Sequence, residues 1–161
     1  MILINTEQDD RKARGLRRSP FNTLSALEIK HLKNEIKIIE ADKNVFVFNK
    51  GAKTGYSDKF RKIRIRGDIF ADKNSIHPRD LMSERAVLAH EYYGHYKYAP
   101  SKFEPGDWRD EFRASYMAAK NTPNLTGNDR RYLILDALER AKEAGVTITY
   151  NNFIRGILYG Y

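Results

Sequence analysis

The 161-residue chain has no cysteine, which excludes disulfides, thiolate metal ligands and a cysteine nucleophile together. Histidine is scarce as well, with four residues. Imidazole and carboxylate are therefore the only strong ligand types left. Long apolar runs are missing, since the longest reach four or five residues and a membrane span needs about 20. The opening Met-Ile-Leu-Ile is too short for a signal-peptide core and has its charges on the wrong side. No secretory signal is expected, and location stays open. Internal repeats and low-complexity segments are absent too.

Acidic charge is in deficit: 21 acidic against 29 basic residues give a formal +8 and a sequence pI near 9.6. That balance favours acidic partners, nucleic acid or anionic surfaces. Part of it is a local cluster, Arg11, Lys12, Arg14, Arg17 and Arg18, in a stretch closed by Ser19-Pro20. Residues 1–20 are read as a flexible basic arm or linker, and 21–161 as one domain with room for a single core.

Periodicity gives an α+β domain. Asn22 or Thr23 caps a first helix carrying Leu24, Leu27, His31 and Leu32 at helical spacing. The β-branched and aromatic runs Ile36–Ile39 and Val45–Phe48, separated by Ala41-Asp42-Lys43-Asn44, read as a hairpin. A glycine-containing loop, Lys50 to Asp58, leads to a half-solvated strand within Phe60–Phe70, where Ile63 and Ile65 alternate with Lys62, Arg64 and Arg66. Ser83 starts a helix that ends before Pro100, Asp107 caps the next, and Asn128 opens a third to Ala144 with Leu133, Ile134, Leu138 and Ala141 as its core stripe. The expected architecture is a short, mostly antiparallel sheet beside three main helices; the state of the tail, Val146 to Tyr161, stays open.

The most informative residues are His90-Glu91-Tyr92-Tyr93-Gly94-His95. In the usual H-E-x-x-H helix, two histidines bind one zinc and the glutamate serves the water it activates. Here the histidines are five apart, which on a regular helix leaves them roughly 140° apart in direction. A π-bulge, with hydrogen bonds from i to i+5, would absorb the extra residue, and Gly94 suits the distortion.

This stretch resembles the H-E-x-x-G-H motif of dipeptidyl peptidase III, and Asp110-Glu111-Phe112-Arg113-Ala114-Ser115 resembles that family's E-E-C-R-A-E motif, with Ser115 where an acid is expected. The resemblance implies a zincin-like domain of the gluzincin kind. It also implies His90, His95 and Glu111 as ligands of one zinc ion and Glu91 as the base. Asp107 and Asp110 lie a turn or less from Glu111 and compete with it for the third position. The wider stretch, Met82 to Asn121, is similar to small metallopeptidase domains of bacterial polymorphic toxins, which implies a peptide or protein substrate and a cognate immunity protein as partner.

The group that steadies the oxyanion is expected among Tyr116, Arg113, Tyr93 and His77, with Tyr116 and Arg113 foremost. The tyrosines around the motif are read mainly as packing. The Phe60–Arg66 strand is expected to be the edge that receives substrate. Two other classes stay open: a basic nucleic-acid-binding module or nuclease, and a non-catalytic scaffold of zincin-like shape.

Overall fold

A computed structural model describes residues 21–160. The basic arm expected over residues 1–20 lies outside the described residues. Among the latter are six α-helices and a three-stranded sheet, an α+β architecture.

Helix α1 (Ala26–Ile38) starts at a capping box in which the Ser25 hydroxyl accepts from the Glu28 amide and the Glu28 carboxylate accepts from the Ser25 amide. Once nucleated, the helix continues through Ile36, Lys37 and Ile38, where the sequence pattern predicts a strand. Leu32, Ile36 and Ile39 are spaced i, i+4, i+7 and are all buried, so this run extends the apolar stripe of the helix. Burial of that stripe outweighs β-branching. The expected hairpin is accordingly absent: strand β1 (Phe46–Phe48) pairs in parallel with β3 (Lys62–Ile65), with Phe46 opposite Ile63. Strand β2 (Gly55–Ser57), hidden in the glycine-containing loop, pairs antiparallel with β3.

The sheet order is β1-β3-β2. The sheet is thus mixed, and β3 is its central strand. Ile63 and Ile65 are fully buried, while Lys62 and Arg64 are half-buried, as the alternation predicts.

After a short helix α2 (Pro78–Leu81), Ser83 caps α3 (Glu84–Ala89) by accepting from the Ala86 amide. Helix α3 passes directly into a π-helical turn, His90–His95, and then a 3-10 turn, Tyr96–Tyr98. Asp107 caps α4 (Trp108–Asn121), and Thr126 with Asp129 forms the capping box of α5 (Gly127–Glu143), two residues before the expected start. The tail forms α6 (Asn152–Tyr159), capped by Asn151. The strand-like Val146–Tyr150 run is loop.

Leu32, Ile36, Ile39, Ile63, Ile65, Ile69, Leu88, Leu133 and Ile134 fill the core. On α5, Ala137 is buried and Leu138 packs at the margin. Small residues let the helices approach: Ala114, Ala118 and Ala119 of α4 and Ala137 and Ala141 of α5 are buried, and α4 packs against both the π turn and α5. The motif tyrosines are packing residues as expected. Tyr92 stacks on Phe46 and Tyr96 with ring centroids 5.8 and 5.2 Å apart, and the Tyr93 hydroxyl donates to the Ile39 carbonyl at 2.7 Å. No described helix is long and apolar enough to cross a membrane.

Candidate metal centre

The π turn does what the five-residue spacing requires: it brings the two imidazoles to one side. Their rings stand nearly perpendicular, and the Nε2 atoms are 3.2 Å apart. Gly94 is needed at the turn for a second reason. A Cβ there would lie 2.4 Å from the Ala114 carbonyl oxygen, so only glycine lets the turn sit this close to the backbone of α4.

His90, Glu91 and His95 form a group that could hold a metal ion, with donor atoms all within 4.8 Å of one another. Two carboxylates compete for the third position. Glu91 Oε2 is 4.0 Å from His90 Nε2. Glu111 Oε2, reaching across from the first turn of α4, is 3.0 Å from His90 Nε2 and 3.2 Å from His95 Nε2. Glu111 Oε2 and the two Nε2 atoms therefore outline a nearly equilateral triangle. Metal bonds of about 2.0–2.1 Å at the tetrahedral angle set donor atoms about 3.3–3.4 Å apart, so the triangle has nearly the size of one tetrahedral face, slightly contracted.

Each imidazole is supported on its far side. His95 Nδ1 faces Asp110 Oδ2 at 3.4 Å. Asp110 Oδ1 accepts from the Ser101 hydroxyl at 2.7 Å and from Arg113 Nη2 at 2.8 Å. His90 Nδ1 is 2.7 Å from the Ser115 hydroxyl, which donates to Asp136 Oδ2 on α5 at 2.6 Å. Arg140 Nε donates to both oxygens of Asp136 at 3.1 Å. A carboxylate of the neighbouring helix is thus linked to His90 through a serine.

Burial alone would lower the His95 pKa, but the Glu111 hydrogen bond and the charges of Glu91, Glu111 and Asp110 outweigh it and raise the group to about 9. Burial pushes Glu111 up, yet its hydrogen bonds to His90 and His95 and their charges hold it far below the usual carboxylate range. Burial opposes the Arg140 charge; Asp136 and Glu111 more than restore it.

The triangle opens into a cleft of about 760 Å³ whose walls include Glu91, Arg113, Arg140, residues of β2, and the Ala99–Gly106 loop. The edge strand beside the site is therefore β2. The Phe60–Arg66 segment was expected there, but β3 has neighbours on both sides. Of the oxyanion candidates, Arg113 lines the cleft, tied to Asp110 and to the Gly94 carbonyl. Tyr116 does not line it: its ring packs against Phe112 and Phe153, and its hydroxyl accepts from Asn151. Tyr93 is committed to Ile39, and His77 Nδ1 pairs with Glu139 at 3.2 Å. Asp107 caps α4 and pairs with Arg109, which removes it as a rival to Glu111. His31 pairs with Glu84 on an exposed face.

The basic residues of β3 are engaged within the chain: Lys62 donates to the Asn44 carbonyl and Arg64 to the Ser57 hydroxyl. Arg66, just beyond it, donates to the Asn49 carbonyl. Sequence reasoning missed Asp136. Its signal is an acid on the buried stripe of a helix, three residues after Leu133, with an arginine at i+4. Compared with protein-family models, with curated proteins and with solved structures, the chain shows no significant match.

Proposed function

We propose that this chain is a zinc-dependent hydrolase of peptide bonds, with His90, His95 and Glu111 holding one zinc ion and Glu91 acting as general base. The observation that carries the reading is the triangle of 3.0, 3.2 and 3.2 Å between those three ligands' donor atoms, with Glu91 beside it in an open cleft. Two imidazoles and a carboxylate, without thiolates, are a donor set that suits a catalytic zinc. When bound, the ion would supply Lewis acidity, polarising the scissile carbonyl and making a water acidic near neutral pH.

The chain's own residues do the rest. Glu91 Oε2, offset from the triangle at 4.0 Å from His90 Nε2, is free to take a proton from the attacking water and return it to the leaving amine. An extended peptide would add to the open edge of β2, which lines the cleft. Arg113 and Arg140, two of several cations on the cleft wall, would offset developing negative charge. The motifs' resemblance to dipeptidyl peptidase III supports the site design. The looser resemblance to polymorphic-toxin domains supports a bacterial effector role, with a protein substrate and an immunity protein as partner.

The test is metal content by plasma mass spectrometry, on wild type and His95→Ala, with peptide-library cleavage by wild type and Glu91→Gln. Expected are one zinc per wild-type chain, its loss in His95→Ala, and a Glu91→Gln protein that keeps its zinc while hydrolysis drops by about 10²–10⁴-fold. A wild type that takes up no metal even after dialysis against zinc would overturn the assignment.

A further inference from the structure

We infer that Asp136 is a positioning residue, acting through Ser115 to fix which nitrogen of His90 carries the proton. The inference rests on the metal-centre reading for its consequence, but the hydrogen bonds that carry it are within the chain. Asp136 and Ser115 are fully buried, and His90 is 4% exposed, so no solvent competes for these groups. Both Asp136 oxygens accept from Arg140 Nε, and Oδ2 also accepts from the Ser115 hydroxyl. A serine has one hydrogen to give. Because Ser115 spends it on Asp136, its oxygen can only accept from His90 at 2.7 Å. His90 Nδ1 therefore bears a proton, and in the neutral ring Nε2 is the nitrogen left to the triangle.

That direction has a chemical consequence. In that neutral form Nε2 stands 3.0 Å from Glu111 Oε2, a spacing that a shared cation would bridge. The same hydrogen bonds that orient the ring thus prepare it as a ligand. His95 gets its orientation more directly, from Asp110 at 3.4 Å. The serine link gives His90 a property that the direct contact lacks, because the direction of the chain can be reversed at its far end.

Asp136→Asn does this. Its amide oxygen would turn toward the Arg140 donor, leaving the amide nitrogen to donate to Ser115. Ser115 would then donate to His90 Nδ1, and the ring proton would move to Nε2, where it blocks a metal. Loss of the correct tautomer is what makes the corresponding change costly in a Ser-His-Asp triad. Ser115→Ala only removes the support, and neither prevents nor enforces the Nδ1–H form.

The experiment measures zinc affinity by chelator competition for wild type, Ser115→Ala, Asp136→Asn and the double variant, with long-range ¹H–¹⁵N spectra of the metal-free imidazoles. Expected are a loss of about tenfold for Ser115→Ala and about 100-fold for Asp136→Asn, the span for altering the partner of a ligating histidine. The double variant should recover to the Ser115→Ala level, because the serine that imposes the wrong tautomer is gone. In the spectra, His90 should be Nδ1-protonated in wild type and Nε2-protonated in Asp136→Asn. Additive losses without recovery, or a wild-type His90 protonated at Nε2, would overturn the inference. Should Asp136→Asn fail to fold, the wild-type spectrum and the Ser115→Ala affinity still decide it. A wild type that binds no zinc yet shows Nδ1–H on His90 would sink the metal reading and leave the proton relay standing.

Discussion

Alanine in place of Gly94 would set a methyl carbon 2.4 Å from the Ala114 carbonyl oxygen and 2.7 Å from its carbonyl carbon and Cα. Ordinary contact begins at 3.4 Å, so the π turn and α4 must part by about 1 Å, the difference between 3.4 and 2.4 Å. Backbone atoms offer no rotamer to turn aside, so the cost falls within the overpacking range of about 1–3 kcal/mol. For a chain of this size that is a fall in Tm of about 2–12 °C, at about 2–4 °C per kcal/mol. The metal centre is more sensitive still. His90 and His95 ride on one side of the contact and Glu111 on the other, so the two Glu111 edges of 3.0 and 3.2 Å would stretch toward about 4 Å, beyond the about 3.3–3.4 Å that a tetrahedral ion spans. Zinc affinity should fall at least tenfold. Chelator competition and thermal melting of Gly94→Ala measure both effects, with Gly127→Ala as control because a Cβ there meets nothing within 4 Å. Wild-type affinity and Tm in Gly94→Ala would refute the argument that this glycine sets the spacing between the ligand-bearing helices.

Three further outcomes are expected. With His95 raised to about 9 from 6.5, a metal-free protein gains stability from this group that is fully present below pH 6.5 and lost as pH rises through 9. Glu111, lowered from 4.5, contributes above that value and loses its contribution as pH falls toward its folded pKa. Urea melts of metal-free protein should therefore show this pair's stabilisation greatest between about pH 4.5 and 6.5, and zinc uptake at pH 7 should release about one proton, read in weakly buffered dye solution. Tyr116→Phe removes only a hydroxyl bonded to Asn151 at 2.9 Å, so catalysis should be unchanged and stability about 0.5–1.5 kcal/mol lower at most. A large loss of kcat with intact folding would restore Tyr116 to the mechanism.

What could be read from the residues was what local chemistry decides. Ser83 and Asp107 announced their helices because a cap acts on the amides of the next turn. Gly94 announced a distortion because the histidine spacing demanded one. The misreadings share one cause, which is that a distant partner settled them. Ile36 to Ile39 has β-branched residues, but the helical stripe it completes is buried against the rest of the core. The pairing of β1 with β3 joins segments about 17 residues apart, and β2 lies in a stretch that reads as loop. The nearness of Glu111 to both imidazoles was anticipated by resemblance and spacing, whereas Asp136 was not, since its link to His90 crosses between helices.

That crossing changes what counts as a conserved part. His90 sits in the π turn, its immediate partner Ser115 on α4, and the carboxylate at the end of the link on α5. A carboxylate can thus leave the helix where a motif expects it, provided a hydroxyl remains to pass the orientation on. Two centres of this kind can keep the same proton arrangement while sharing no acid at equivalent positions. Comparing them along the chain would count a loss; comparing them by hydrogen-bond direction would count a substitution. The same layout sets a lower bound for transplanting the centre into another scaffold: the graft has to carry the α5 turn that holds Asp136 and Arg140, although neither residue is among the proposed ligands.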